Sequence, residues 1–313
     1  MKLIKDNTTI DFLSRTPRRV AAAISVVVVL ASIATIATRG LEFGIDFTGG
    51  ILLEVGYPQA ANLDDIRQLM AGAGFEDVQV QRFGADTDVM LRLPPQPGVD
   101  ADEIRDQLSA MLAADQPGME IRRVEFVGPQ VGAELREQGS TAMIYALCMI
   151  FVYIMFRFQW KFAAGAVVAL AHDVIITVGF FSLFSLPFDL SVLAAVLAVI
   201  GYSLNDTVVV FDRIRENFLK LRGTEPEASM NISINETLSR TIMTGITTLL
   251  VLLALYFLGG ESVGPFSIAV IVGIVIGTYS SIYIASATAL SLNIRPQDLL
   301  PPEKDSELID DLP

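Results

Sequence analysis

The chain has 313 residues, of which 52% are hydrophobic and only 18% are charged. This composition excludes an ordinary soluble domain, and the formal net charge of −13 argues against nucleic acid as a partner. One histidine and one cysteine exclude an intramolecular disulfide and argue against a Cys/His metal site, and there is no P-loop motif, so we expect no metal, no cofactor and no enzymatic activity.

Six apolar segments follow one another along the chain, and each is long enough to cross a bilayer as a helix. They cover residues 20–38, 140–156, 162–186, 188–211, 238–258 and 265–292. The first run is longer than the apolar core of a usual signal peptide, about 7–15 residues, so we expect it to remain as a helix. The sequence therefore predicts a polytopic α-helical membrane protein with a five-helix transmembrane region at 140–292.

The distribution of lysine and arginine predicts the orientation of these helices. Basic residues occur before the first helix, after the second and fourth helices, and in the C-terminal tail: Lys2, Lys5, Arg15, Arg18, Arg19, Arg157, Lys161, Arg213, Arg215, Lys220, Arg222, Arg295 and Lys304. The short loops SLPFD and GGESVGP carry none. Because cytoplasmic loops are rich in lysine and arginine, we expect a cytoplasmic N-terminal segment at 1–19, a cytoplasmic acidic tail at 293–313, and a domain at 39–139 on the outer side.

The polar region between the first two helices alternates strand and helix patterns. Strand patterns occur in GGILLEVGY, EDVQVQRF, VMLRL and MEIRRVEFVG, and helix patterns in ANLDDIRQLMAGAG and DADEIRDQLSAMLAAD. Asn62 is suited to cap the first of these helices, and Gly84 to Asp88 are expected to form the turn between the second and third strands. The order β-α-β-β-α-β predicts an α+β ferredoxin-like domain.

The segment GIDFTGG, residues 44–50, connects the first helix to this domain. Gly49 and Gly50 permit positive φ angles and tight turns, and Asp46 is suited to a turn or a helix cap. A lone aspartate before glycines is weak evidence for a metal or phosphate site, so we interpret this segment as a structural elbow.

An ionisable residue interrupts the fourth apolar segment. In GYSLNDTVVVFDRIREN, residues 201–217, Asn205 and Asp206 stand between two apolar runs. Asp206 precedes Arg213 by about two helical turns, which places it about 10 Å inside the membrane edge. A carboxylate at bilayer depth costs about 2.5–3.5 kcal/mol on insertion scales, so Asp206 is a candidate functional residue. Small residues form a stripe beside it that is suited to close helix packing: Ala194, Ala198, Gly201 and Asn205.

The fifth helix offers a partner for this carboxylate. Its polar residues share one face: Thr237, Arg240, Thr241, Thr244 and Thr248. Arg240 lies at a depth comparable with that of Asp206, so we expect the two side chains to face each other in the bundle interior. Two interpretations remain open: a static ion pair that fixes helix packing, or a carboxylate that gains and loses a proton as its pairing with Arg240 changes.

Two further features of the apolar segments also have two interpretations each. His172 and Asp173 lie near the middle of the third helix, where they either make a packing hydrogen bond or support a proton path to Asp206. On the sixth helix, small residues recur every four positions: Ala269, Gly273, Gly277, Ser281, Ala285 and Ala289. This face is either a static packing seam or a sliding surface, and it suggests a neighbouring protein chain rather than lipid.

Four stretches are recognisable when they are taken together: GIDFTGG after the first helix, VGPQVGAELREQG entering the second, GYSLNDTVVVFDRIREN on the fourth and TLSRTIMTGITTLL on the fifth. With them the chain resembles the SecF family of bacterial protein-export subunits, which belongs with the SecD proteins to the resistance-nodulation-division superfamily. The resemblance covers roughly residues 10–295 and implies six transmembrane helices with a periplasmic domain after the first.

The resemblance implies a function that periodicity does not show. It implies an inner-membrane subunit that uses the proton-motive force, together with a SecD partner, to draw unfolded preproteins outward after the stage at the SecYEG channel. YajC is a further candidate partner, and the proton is the coupling ion. The charged membrane residues of the family correspond here to Asp206 and Arg240, and a third carboxylate is expected on SecD.

Two other functions remain as alternatives. One is half of a proton-driven exporter of small molecules or lipids from the same superfamily, although a single outer domain of this size is small for a substrate cleft. The other is a passive scaffold that holds other translocon subunits, for which the replacement of Asp206 by Asn is expected to have little effect.

Overall fold

A computed structural model describes residues 9–75, 78–95, 101–115, 118–221, 223–260 and 263–299. Several residues used in the orientation argument lie outside these ranges: Lys2, Lys5, Arg222, Lys304 and the acidic stretch 305–313. Within the described residues, long helices form a bundle, and a small α+β domain lies at one end of it, which we call the domain end.

The helices, in chain order, are α1 (Arg15–Arg39), α2 (Ile45–Thr48), α3 (Leu63–Gly72), α4 (Ala101–Asp115), α5 (Pro129–Arg157), α6 (Trp160–Leu183), α7 (Leu190–Lys220), α8 (Pro226–Leu258), α9 (Gly264–Ser280) and α10 (Ser286–Ser291). The strands are β1 (Glu42–Phe43), β2 (Gly50–Gly56), β3 (Gln79–Phe83), β4 (Ala85–Leu93), β5 (Glu120–Val127) and β6 (Pro187–Phe188). A π-helical turn, Ser281–Ala285, joins α9 to α10, so that the last helix runs continuously over Gly264–Ser291.

In the described part of the chain, six helices are long and apolar enough to cross a membrane: α1, α5, α6, α7, α8 and the last helix. Two of them begin well before their apolar runs, because Pro129 and Pro226 occupy first-turn positions where the missing N–H is not needed. The fourth apolar segment begins at residue 188, but α7 begins at Leu190. Asp189 caps α7 there, accepting a 2.9 Å hydrogen bond from Val192 N, while Pro187 lies in β6.

The membrane helices divide into an inner and an outer layer. In the apolar windows of α6, α7 and the last helix, 56%, 50% and 50% of the residues are buried, against 17%, 11% and 17% for α1, α5 and α8. The three inner helices therefore make most of the buried contacts within the bundle. The outer helices leave much apolar surface uncovered within this chain, and this surface suits lipid or another protein.

The small residues of the last helix form a seam inside the chain. All six of them, from Ala269 to Ala289, are buried. A Cβ atom at Gly273 would collide with the side chain of Val199 on α7, and a Cβ at Gly165 of α6 would lie 2.6 Å from the carbonyl oxygen of Ala285. The neighbours of this seam are thus α6 and α7, and the expectation of a neighbouring chain on this face is wrong.

The extramembrane domain, residues 50–127, is a four-stranded sheet with two helices on one face. The strand order is β3-β4-β2-β5, and every neighbouring pair is antiparallel. Alternate residues of the strands, among them Ile51, Leu53 and Leu91, pack against α3 and α4. Asn62 caps α3 as expected, accepting a hydrogen bond from Asp64 N.

The turn between β3 and β4 is shorter than the sequence suggested. The ladder continues to the pair Phe83 and Ala85, so the turn is centred on Gly84, whose φ is +77°, and does not extend to Asp88. A glycine with positive φ lets the chain reverse sharply, and residues 85–88 are then free to pair with the neighbouring strands.

The open face of the sheet covers the domain end of the bundle. Leu52 and Met90 on this face pack with Ile45 of α2. Nearby, β1 pairs in parallel with β6, joining Glu42 to Pro187 and Phe43 to Phe188. The segment after α1 is therefore bound both to the sheet and to the loop that precedes α7.

Candidate functional site

Asp206 lies in the middle of α7 and is buried, with 3% of its surface exposed. Its Oδ2 atom has no hydrogen-bond partner within the described residues. Neighbouring Thr207 is already engaged, because its hydroxyl is 2.9 Å from that of Ser281. A buried carboxylate oxygen without a donor is unusual in a folded protein, and it is free to take up a proton or a cation.

Arg240 lies on α8, and its side chain is exposed within this chain. It borders a cavity of about 380 Å³ between α7 and α8 at the far end of the bundle, together with Arg213 and Glu236. In the described chain no ion pair within 4.0 Å joins it to Asp206, although its charge acts electrostatically on that carboxylate. The two residues are thus near each other, on adjacent helices, but they are not in contact in this conformation.

The small-residue stripe of α7 faces out of the chain. Its members are exposed: Ala194, Ala198, Gly201 and Asn205. Nothing in the described residues lies within 4 Å of a Cβ built at Gly201. Close packing along this stripe therefore requires a helix from outside this chain. Asn205 brings a polar group to that surface, and the buried Asp206 is the next residue.

Thr244 makes a side-chain hydrogen bond within its own helix, α8. Its hydroxyl donates a 2.8 Å hydrogen bond to the carbonyl oxygen of Arg240, one turn earlier. Thr241 is buried, and its hydroxyl has no partner within the described part of the chain. The polar face of α8 thus divides between a buried part and an exposed part that includes Arg240.

His172 and Asp173 form a separate, fully buried cluster between α6, α7 and α9. Asp173 Oδ2 accepts hydrogen bonds of 2.6 Å from Ser203 and 2.7 Å from Ser280, and its Oδ1 lies 3.0 Å from His172 Nδ1. Both carboxylate oxygens of Asp173 are therefore satisfied, in contrast to Asp206. Sequence reasoning missed the role of Ser280, which is one of several hydroxyl-bearing residues of α9 and so carries no distinguishing signal.

The elbow residues position the start of α7. Asp46 Oδ2 accepts a 2.9 Å hydrogen bond from Leu190 N, the first backbone amide of that helix. Gly49 has a φ of +71°, and a Cβ there would lie 2.7 Å from Pro129 Cα, while a Cβ at Gly50 would collide with the carbonyl oxygen of Leu93. Only glycine fits at both positions, because the chain enters and leaves the domain at this point.

Two family models match the sequence. The model described as "Protein export membrane protein SecD/SecF, C-terminal" matches residues 107–295, which include Asp206 and Arg240. The model described as "SecD/SecF GG Motif" matches residues 34–61, which include the elbow.

The chain is also similar to curated proteins over nearly its full length. It is 47% identical to "Protein translocase subunit SecF" of Vibrio alginolyticus over 315 residues, covering 100% of this chain and 99% of that protein. It is 48% identical to the protein of the same description from Pseudomonas aeruginosa over 306 residues, covering 97% of this chain and 98% of that one.

Solved structures share the fold. The crystal structure of SecDF from Thermus thermophilus, described as a translocon-associated membrane protein, is 36% identical and superposes with a TM-score of 0.85 over 92% of this chain. A SecDF structure in a super-membrane-facing form is 37% identical, with a TM-score of 0.68 over 94% of this chain. The chain spans only 39% and 40% of those two longer chains.

Proposed function

Because this chain belongs to the SecD/SecF family of protein-export membrane proteins, we propose that it is one half of a proton-driven machine that draws preproteins across the bacterial inner membrane. The second half is a SecD protein with its own six helices. The machine acts beside the SecYEG channel, with YajC as an additional partner, on unfolded preproteins. The proton is its coupling ion, and it carries no resident cofactor.

The observation that carries the proposal is the unpaired, buried carboxylate of Asp206 beside the exposed Arg240. An ionised carboxylate at membrane depth costs about 2.5–3.5 kcal/mol unless a cation or donor approaches it. The proton occupancy of Asp206 therefore depends on the distance to Arg240. A movement of α8 relative to α7 that changes this distance would bind a proton in one state and release it in the other.

The outward stripe of α7 supports the partner in the proposal. Asn205, the exposed Arg240 and the small residues next to them are poorly suited to lipid, since polar groups in hydrocarbon cost free energy and small residues leave shallow grooves. A helix of SecD packed here covers these groups and brings a further carboxylate close to Asp206 and Arg240.

The orientation follows from the positions of the basic residues. We infer that both termini are cytoplasmic, that the acidic tail is cytoplasmic, and that the extramembrane domain is periplasmic. Its β-α-β-β-α-β order and antiparallel sheet support a ferredoxin-like fold for it. The cavity bordered by Arg240 then opens towards the cytoplasm, on the side where protons are released.

The test is late-stage export in membrane vesicles that contain the assembled complex under an imposed pH gradient. Asp206→Asn keeps the size and much of the hydrogen bonding of the side chain but exchanges no proton. We expect this variant to assemble normally and to lose gradient-dependent export, and we expect the same of Arg240→Met. Arg240→Lys keeps the charge without the planar guanidinium and should restore part of the activity.

Asp173→Asn is the matched control, since Asp173 is a second buried aspartate whose oxygens are already satisfied. Export in that variant should remain near the wild-type level. If Asp206→Asn retains full gradient-dependent export, Asp206 has a structural role and the proposed proton coupling is wrong.

A further inference from the structure

Arg92 is a buried arginine outside the candidate site. It lies on β4, on the open face of the sheet, with 8% of its surface exposed. Its Nη2 atom is 3.9 Å from the sulfur of Met90, and its Nε and Nη1 atoms have no hydrogen-bond partner within the described residues. An unpaired buried guanidinium is destabilising and is rare in folded proteins.

The side chain of Arg92 borders a cavity of about 170 Å³ between the sheet and the helix bundle. The opposite walls are formed by Asp46 of the elbow and by Asp189 before α7. Arg123 borders the same cavity, but its guanidinium already pairs with Glu54 and Glu125 of the sheet. Of the two arginines among the described residues that line this cavity, Arg92 is therefore the one without an ion pair.

Acceptors for Arg92 lie on the bundle side of the cavity. Asp46 uses Oδ2 to bind Leu190 N, and Asp189 uses Oδ1 to bind Ser191 and Val192. Among the described residues, the other carboxylate oxygen of each aspartate accepts no hydrogen bond. Burial lowers the pKa of Arg92, and the negative charges of Glu42, Asp189 and Asp46 oppose this effect. Unpaired donors of Arg92 and unused acceptors of Asp46 and Asp189 thus border the same small cavity.

We propose that Arg92 is a latch that ties the extramembrane domain to the start of α7 by pairing with Asp189 and Asp46, and that the pair forms and breaks as the domain moves. Both aspartates bind the first amides of the helix that carries Asp206, roughly 25 Å further along at 1.5 Å per residue. A shift of α7 during proton binding then changes how firmly the domain is held. The inference rests on the proposed function, since it supplies a route from Asp206 to the domain.

A double-mutant cycle in the assembled complex tests the pair. Arg92→Gln removes the charge, and Asp189→Asn removes the partner charge while keeping an oxygen that caps α7. We expect each single variant to lower gradient-driven export on the order of tenfold and the double variant to be no worse than either single one. Losses that multiply in the double variant would overturn the latch. Absence of gradient-driven export in the wild type would instead count against the proposed function.

A distance measurement tests the latch without reference to export. Spin labels at Gln79 on the sheet and Phe184 at the end of α6, in a Cys148→Ser background, report the separation of domain and bundle. We expect the wild type to show a population at shorter distance that disappears in both Arg92→Gln and Asp189→Asn. Identical distance distributions in the three proteins would overturn the proposal.

Thermal unfolding of the same proteins separates a latch from a structural arginine. Because Arg92 is unpaired in the conformation described, Arg92→Gln should unfold at the wild-type temperature or above it. A lower unfolding temperature would show that Arg92 stabilises the resting fold and would contradict the latch.

Discussion

Ser203 on α7 donates a 2.6 Å hydrogen bond to Asp173 Oδ2 on α6, and Asp206 lies one turn further along α7 with an oxygen that has no partner. The two buried aspartates of the bundle therefore differ in the feature that decides their chemistry. Asp173 receives three hydrogen bonds or close polar contacts from its own chain, so its interactions are complete without any partner. Asp206 is available for chemistry.

This contrast predicts the effects of substitution at Asp173 on stability. Asparagine keeps an oxygen that accepts hydrogen bonds from Ser203 and Ser280. Its NH2 group can donate to His172 Nδ1 when the proton of the imidazole is on Nε2. Asp173→Asn should therefore change the unfolding free energy by about 1 kcal/mol or less. Leucine leaves those donors unsatisfied and should cost about 3 kcal/mol or more. Thermal unfolding in detergent measures both. An equal loss in the two variants would show that the hydrogen bonds do not hold the three helices together.

The outward stripe of α7 predicts an assembly defect that leaves this chain folded. Gly201→Leu adds a side chain where no atom of the described chain lies within 4 Å of the new Cβ, so the subunit should fold normally but fail to co-purify with SecD. Gly201→Ala should assemble, because the groove stays shallow. Gly273→Leu is the contrasting variant. It collides with Val199 and should reduce the stability of the chain itself. Normal co-purification of Gly201→Leu with SecD would show that SecD does not pack against this stripe of α7.

The elbow predicts a large penalty at Gly50. This residue has a φ of +119°, and a Cβ would overlap the carbonyl oxygen of Leu93, so Gly50→Ala should destabilise the protein by about 2 kcal/mol or more. Gly74 has a φ of +86° with nothing within 4 Å, so Gly74→Ala should cost only about 1 kcal/mol from its backbone conformation. The difference in unfolding temperature between Gly50→Ala and Gly74→Ala measures the destabilisation that comes from the steric overlap with Leu93. Equal shifts would mean that the elbow relaxes around the added methyl group.

A carboxylate after the last helix predicts a dependence of local stability on pH. Burial opposes the ionisation of Asp298, but a 2.6 Å hydrogen bond from Lys161 Nζ and a 2.9 Å bond from Arg295 N outweigh it and hold the pKa of Asp298 below its ordinary value. Because the pKa is lower in the folded state, the ionised group stabilises the fold above about pH 3.9, the unfolded value. This stabilisation is lost as the pH falls through the lowered pKa.

Asp298→Asn should therefore weaken this segment by about 0.5–1 kcal/mol at pH 7 and hardly at all in acid, where the wild type has lost the same interaction. Amide hydrogen exchange of residues 293–299, corrected for the intrinsic effect of pH on exchange, measures the difference. A difference between the two proteins that persists unchanged in acid would show that the charge of Asp298 is not its source.

The sequence predicted the membrane helices well because their signal is local. Each apolar run is long, and hydrophobic length alone identifies a spanning helix. The early start of α8 was missed because its polar first turns carry no hydropathy signal. The succession of strands and helices along the domain was predicted from the spacing of its apolar residues, but the tight turn at Gly84 depends on a single φ angle that a pattern cannot specify.

The direction in which a face points was not predictable. Both α7 and the last helix carry small residues at regular spacing, and the sequence suggested a neighbouring chain for the last helix. In the structure that seam is internal, and it is the α7 stripe that faces outward. Which face is internal depends on contacts between segments far apart in the chain, such as Ser280 with Asp173. For the same reason sequence placed Asp206 and Arg240 at similar depth but could not show that they stand apart.

The two covalent connections between the domain and the bundle lie side by side. Its first and last strands are neighbours, with Gly50 opposite Val127, and the two chain crossings touch where Gly49 packs against Pro129. Because both connections share one pivot, the domain can rotate about it once its contacts with the bundle loosen, but it cannot move away. A force on the far edge of the domain therefore acts on the membrane helices as a torque, and the width of the sheet is the lever arm. In the other direction, a small rotation at the pivot produces a larger displacement at the far edge.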